Sequence, residues 1–370
     1  MNIRVRTVWN GRNGQKCTCF QPPPAVMKDR RLLMTFQPIM GSDYYGPVME
    51  SVSGDGGETW SDPVPVPGFG PVPLPGGIQE SICDVVPECH PELGTVLAIG
   101  HNVYYRQGKL YDTLGDWNSA PDTRFVRRSY YAVRNDRGEW TVRRRPLDFP
   151  CFDKDTSCCT CGCSQRYFDG NKLYIPFSFG TVGRRDRMFR SVLAEFDGTS
   201  VRYLETGNVL ELPAGRGLLE PSLCRHHGVF YVTLRTEDGF AHWSESMDGL
   251  HWNPLQFWHF DDGTPLETAS TQQHFLIHNG VLHLVYTRRT AENADVMRFR
   301  APLFIARVNE RFQIVRSSEM VVFPEIREPE GVALMGNFHT LSGNGKSYVA
   351  VGETRFFDRY RGDTLLAEIE

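Results

Sequence analysis

The chain has 370 residues, of which 40 are basic and 44 acidic, giving a formal net charge of −4. With 40% hydrophobic and 23% charged residues it has the make-up of a folded globular chain, which excludes a disordered or collagen-like protein. The mildly acidic balance lacks the basic footprint of a nucleic-acid binder, so no nucleic-acid partner is expected.

No run of 18 or more apolar residues occurs, so no membrane partner is expected either. The opening MNIRVRTVWNGRNGQ carries no apolar leader segment, and the ten cysteines do not form the dense framework of a small secreted domain. Both features predict reduced thiols and a cytoplasmic location.

In chain order, short apolar runs recur at residues 30–36 (RRLLMTF), 94–100 (GTVLAIG), 171–179 (NKLYIPFSF), 228–235 (GVFYVTLR), 280–288 (GVLHLVYTR), 301–308 (APLFIARV) and 346–353 (KSYVAVGE). Several follow turn residues: Asp169-Gly170-Asn171, His227-Gly228, Asn279-Gly280 and Asn344-Gly345. Runs of this length bounded by such turns predict β-strands joined by hairpins. No segment of twelve or more residues shows helical apolar spacing. Strands spread evenly over residues 1–370 predict one all-β domain, and a closed ring removes the exposed edges that a long β chain must manage. Six units of about 60 residues suit the four-stranded blades of a propeller.

The segment SGDGGETW places Ser53, Asp55, Gly57, Thr59 and Trp60 in the pattern S-x-D-x-G-x-T-W. Asp55 is suited to accept backbone N–H groups within a tight turn, and the glycines allow positive φ. Shortened copies appear at Ser246, Asp248, Gly249 and Trp252, and at Asn135, Asp136, Gly138 and Trp140. With these boxes, the stretches GSDYYGPVMESVSGDGGETWSDP, CDVVPECHPELGTVLAIGHNVYY, LLEPSL and STQQHF resemble the sialidase-like Asp-box (BNR-repeat) β-propellers, over roughly residues 18–353. The resemblance implies a six-bladed β-propeller and a glycoside hydrolase that takes an acidic oligosaccharide or polysaccharide. It implies no cofactor and no metal.

Carried over residue by residue, the resemblance makes Asp43 the acid/base, Glu220 the partner carboxylate and Arg235 a carboxylate clamp. A further arginine falls on Arg288 or Arg289. Arginine suits this task because its planar fork matches a carboxylate. Gln21 stands where the family has its first arginine. Phe338, in Gly336-Asn337-Phe338-His339, stands where the family has its nucleophilic tyrosine. Both departures argue against strict sialidase activity. Gln21, Asn337 and Tyr105 are assigned to substrate binding.

His101 and His274 are candidate acid/base residues, because imidazole titrates near neutrality; His90 is a weaker one. Hydrolases and lyases of uronic-acid polymers are known on related propellers, so β-elimination from a uronate polymer is the alternative to hydrolysis. A non-catalytic glycan-binding propeller is the third. Product absorbance separates the first two, since elimination leaves a conjugated double bond. Arg298 and Arg300 either extend a basic rim or solvate a loop. The crowded Cys158, Cys159, Cys161 and Cys163 show one C-x2-C spacing and no second, well-separated pair, so reduced thiols are expected there. The oligomeric state is left open.

Overall fold

The computed structural model describes residues 1–12, 19–20, 22–41, 43–111, 122–159, 164–343 and 345–370. Among them, six antiparallel sheets form the blades of a six-bladed β-propeller. Of the seven apolar runs, six are the second strands of their blades: Leu32–Gly41, Val96–Arg106, Lys172–Thr181, Val229–Arg235, Val281–Tyr286 and Lys346–Thr354. A second strand is covered on both faces by the neighbouring blades, so it lacks the apolar–polar alternation of a half-exposed strand. Val96–Arg106 is buried at every position but its last.

The first strands surround the axis and are far more polar, as in Leu219–His226 and Gln273–His278. Gln165 of the third blade ties them together. Its side-chain amide donates to the Phe275 carbonyl of the fifth blade (2.8 Å) and to Thr340 Oγ1 of the sixth (2.8 Å). Each interface between neighbouring blades holds its own apolar cluster. That between the fourth and fifth blades is aromatic: Trp243, Trp258, Phe275 and Phe312 pack together, with Trp258 fully buried. The cores lie between sheets, where residues distant in sequence meet.

The ring closes in the last blade, whose outer strand is the N-terminal Ile3–Trp9, paired antiparallel with Thr364–Ile369. A buried ion-pair group supports this closure. Arg12 reaches Glu353 (Nη2–Oε1 2.8 Å) and Asp363 (3.2 Å), and Arg355 lies 3.7 Å from Glu353.

Hairpins joining third to outer strands carry the turns read from the sequence. Asp55 Oδ1 accepts Thr59 N–H at 2.9 Å, Ser53 Oγ accepts Gly57 N–H at 2.8 Å, and Trp60 Nε1 donates to the Gly57 carbonyl at 3.2 Å. Asp248 accepts Leu250 N–H (2.9 Å) and His251 N–H (2.8 Å). In the second blade the capping group is Asn135 rather than Asp136, accepting Arg137 N–H at 3.0 Å and Glu139 N–H at 2.8 Å. Asp197 and Asn309 do the same in the third and fifth blades, without the flanking Ser and Trp that made the others legible.

Candidate active site

The C-terminal ends of the second strands and the N-terminal ends of the first strands open on the same mouth. Asp43, Tyr105 and Arg235 sit at or just past second-strand ends, and Glu220 is the second residue of a first strand; His101 lies in the middle of Val96–Arg106. A cavity of about 330 Å³ opens there between the first and last blades, lined by Asp43, Tyr45, Arg298, Arg300, Gly336 and Phe356 among others.

Glu220 and Arg235 form a buried ion pair across the fourth blade. Glu220 has φ +42°, in a register shift between Leu219 and Ser222. This left-handed backbone is strained for a non-glycine residue, and it persists where the surroundings hold it. The pair continues as a chain. Arg235 Nε donates to Ser270 Oγ (2.9 Å), Ser270 donates to Glu237 Oε1 (3.2 Å), and Glu237 accepts Arg216 Nε (2.8 Å). The Arg216 bonds hold the Glu237 carboxyl down at about 2, against the opposing pull of burial.

A folded value below the unfolded one means that this group contributes stability in full above about 4.5, the ordinary glutamate value, and loses it as pH falls towards about 2. Discounted for solvent screening, the loss is about 1–2 kcal/mol. Urea midpoints measured at about pH 6 and about pH 3 should therefore differ less in Glu237→Gln than in the parent. An equal acid shift in both proteins would exclude this role.

Arg298 stands apart from the other arginines at this mouth. It lines the cavity, and among the described residues it makes no hydrogen bond and no ion pair. Partial burial lowers its pKa, and the nearby guanidiniums of Arg235 and Arg216 lower it further, with Glu220 and Glu237 opposing. Three positive groups thus share one region with two carboxylates that are already engaged. The backbone at Arg298 and Phe299 is left-handed, with φ +54° and +51°.

On the opposite rim, exposed Asp43 accepts a hydrogen bond from Tyr45 Oη at 3.3 Å, and Tyr45 N–H donates to Tyr105 Oη at 3.2 Å. Burial pushes both phenols up, so both stay protonated near neutrality. Behind them His101, 1% exposed, has Arg127 Nη1 at 3.1 Å and Cys83 Sγ at 3.4 Å from Nε2, and Asp84 Oδ2 at 3.8 Å from Nδ1. His101 does not line the cavity.

Several expectations change. His274 is fully buried in the first strand of the fifth blade, where its Nδ1 shares a 2.7 Å hydrogen bond with Ser222 Oγ and its ring meets Phe338 edge-on. Burial lowers its pKa to about 3, which leaves it neutral and removes it from acid/base work at this mouth. Arg288 is held bidentately by Glu319 (2.8 and 2.7 Å) with its guanidinium over the Phe304 ring, and Arg289 is exposed 3.8 Å from Glu267. Neither lines the cavity; Arg298 and Arg300 do.

Asn337 is buried in the first-strand bulge of the last blade, beside the cavity-lining Gly336. Phe338 is a core residue. His90 serves a turn, accepting Glu92 and Leu93 N–H groups at 3.2 and 3.1 Å. Gln21, Cys161 and Cys163 lie outside the described residues, and Cys158 is buried in the core. Sequence reasoning missed Tyr45, Glu237 and Arg216; nothing local distinguishes them from ordinary rim residues.

No family model matches the sequence, and no curated protein does. Solved structures do. Trypanosoma rangeli sialidase superposes with a TM-score of 0.66 at 13% identity, over 100% of this chain and 60% of that one. The Hadza microbial sialidase Hz136 gives 0.63 at 13%, over 98% and 68%. A protein of unknown function from Dyadobacter fermentans gives 0.66 at 14%, over 100% and 99%. This chain thus spans about 60% of the length of the Trypanosoma enzyme. The fold is that of a sialidase-like six-bladed β-propeller.

Proposed function

We propose that this protein is a glycoside hydrolase acting on an acidic glycan. The observation that carries the proposal is Arg298: an unpaired guanidinium, close to Arg235, in a cavity that also presents the carboxylate of Asp43. A sugar carboxylate would meet Arg298 in a charge-assisted contact and relieve its repulsion by Arg235 and Arg216. Water would attack the anomeric carbon as the glycosidic C–O bond breaks, and the Asp43 carboxylate would take the water's proton and pass it to the departing sugar oxygen. Structural neighbours that are sialidases, one solved in complex with sialic acid, support an acidic sugar. The imidazole and phenol bases expected for elimination are not available at the cavity: His101 stands behind it and Tyr105 is held protonated. Hydrolysis is therefore preferred.

The test is turnover of aryl sialosides and aryl uronosides, with absorbance of an unsaturated uronate as the sign of elimination. Arg298→Ala should lower kcat/KM on the acidic substrate about 100-fold while the melting temperature stays level or rises, since burial and the two neighbouring guanidiniums outweigh the pull of Glu220 and Glu237 on the lost charge. No turnover by folded parent protein across the panel, or an unchanged kcat/KM in Arg298→Ala, would overturn the proposal.

A further inference from the structure

Cys83 and His101 face each other across the first two strands of the second blade. Beside them the ladder slips: Ile99 pairs with Val86, so Asp84 and Val85 stand against Gly100 alone. In a regular strand adjacent side chains point to opposite faces. Here Asp84 adopts φ +55°, and the bulge brings its carboxylate to the same side as the Cys83 thiol. Gly100 is needed for this, because a Cβ there would sit 2.7 Å from the Cys83 carbonyl oxygen and 2.7 Å from Val85 Cγ2.

The outcome is one sulfur, one imidazole nitrogen and one carboxylate oxygen within 4.8 Å of one another in a buried setting. His101 Nδ1 is buried and, among the described residues, has no hydrogen-bond partner; Asp84 Oδ2 faces it at 3.8 Å, too far for a hydrogen bond. A metal about 2.0–2.1 Å from nitrogen and about 2.0–2.2 Å from a carboxylate oxygen spans a gap of that size. Thiolate, imidazole and carboxylate together are a zinc donor set, and soft sulfur disfavours magnesium or calcium.

We infer that Cys83, Asp84 and His101 hold a divalent transition-metal ion of the zinc class through Sγ, a carboxylate oxygen and Nδ1. Without metal, His101 Nε2 accepts from Arg127 Nη1, which leaves the proton on Nδ1. Metal entry moves the imidazole proton from Nδ1 to Nε2, so that Nε2 becomes a donor and the Arg127 contact is released, and it sends the Cys83 thiol proton to solvent. The site lies directly behind Tyr45 and Tyr105, so the ion would brace the Asp43 rim rather than touch substrate.

The full chain, expressed with added zinc and desalted, should carry about one zinc per chain by elemental analysis. Cys83→Ser and His101→Gln should each lose most of it while Cys89→Ser retains it, with circular dichroism verifying the fold of each. Cobalt-loaded parent protein should show a sulfur-to-cobalt charge-transfer band that Cys83→Ser lacks. Background zinc in the folded parent, or zinc undiminished in folded Cys83→Ser, would overturn the inference. Neither result depends on turnover, so the hydrolase proposal stands or falls separately.

Discussion

Arg235→Met is expected to lower stability by about 3–5 kcal/mol, a melting-temperature drop on the order of 5–10 °C, and to abolish turnover of an acidic substrate. Its partner Glu220 has a side chain only 11% exposed, and among the described residues Glu220 Oε2 already lacks a hydrogen-bond partner. Removing the guanidinium leaves that carboxylate in a poorly solvated position, and the loss of a buried ion's partner is what makes such substitutions severe. Arg298 offsets part of the cost, since its charge also acts on Glu220.

The double variant Glu220→Leu/Arg235→Met should therefore recover much of the lost stability, because neither charge is then buried alone, and recover no activity. Calorimetry and kinetics on the two singles and the double read this out. Additive stability losses in the double variant would show that the two side chains do not act as a pair.

Deleting residues 1–9 should remove cooperative folding. The segment Ile3–Trp9 supplies the outer strand of the last blade, with six residue pairs from Ile3–Ile369 to Trp9–Thr364, and Arg6 reaches Glu368 at 2.6 Å. Ladder hydrogen bonds at about 1 kcal/mol each, together with the apolar cover lost from Leu366 and Tyr348, sum to at least about 5 kcal/mol. That matches the lower end of the whole stability of a typical domain, about 5–15 kcal/mol. The truncated chain would also expose the Thr364–Ile369 edge to pairing with other chains. Urea unfolding and light scattering check this. A single sharp transition at the parent midpoint would show that the ring closes without its first strand.

How much was legible follows from where each contact partner lies in the chain. Asp55 and Asp248 bond groups two to four residues away, so their turns were readable as local motifs. Leu32–Gly41 and Val96–Arg106 were readable because burial on both faces demands an unbroken apolar run. The first strands were obscure because they line the axis, where Gln165, Ser222 and Thr340 bond one another's blades and leave no apolar periodicity. At the site, Glu220 and Arg235 face each other across a single hairpin, and their spacing already pointed to the pair.

The amino-acid sequence by itself determined the β class, the turn chemistry and the short-range pair at the mouth, because each depends on residues close along the backbone. Only the tertiary structure decided which arginine stays free. Arg288 is neutralised by Glu319, 31 residues further on, while Arg298 is carried by a left-handed backbone into the cavity with Asp43. It likewise decided that His274 is core, since its burial comes from Ser222 of one neighbouring blade and Phe338 of the other. Ionic partnership and desolvation are properties of surroundings assembled from several blades, and no stretch of chain contains them.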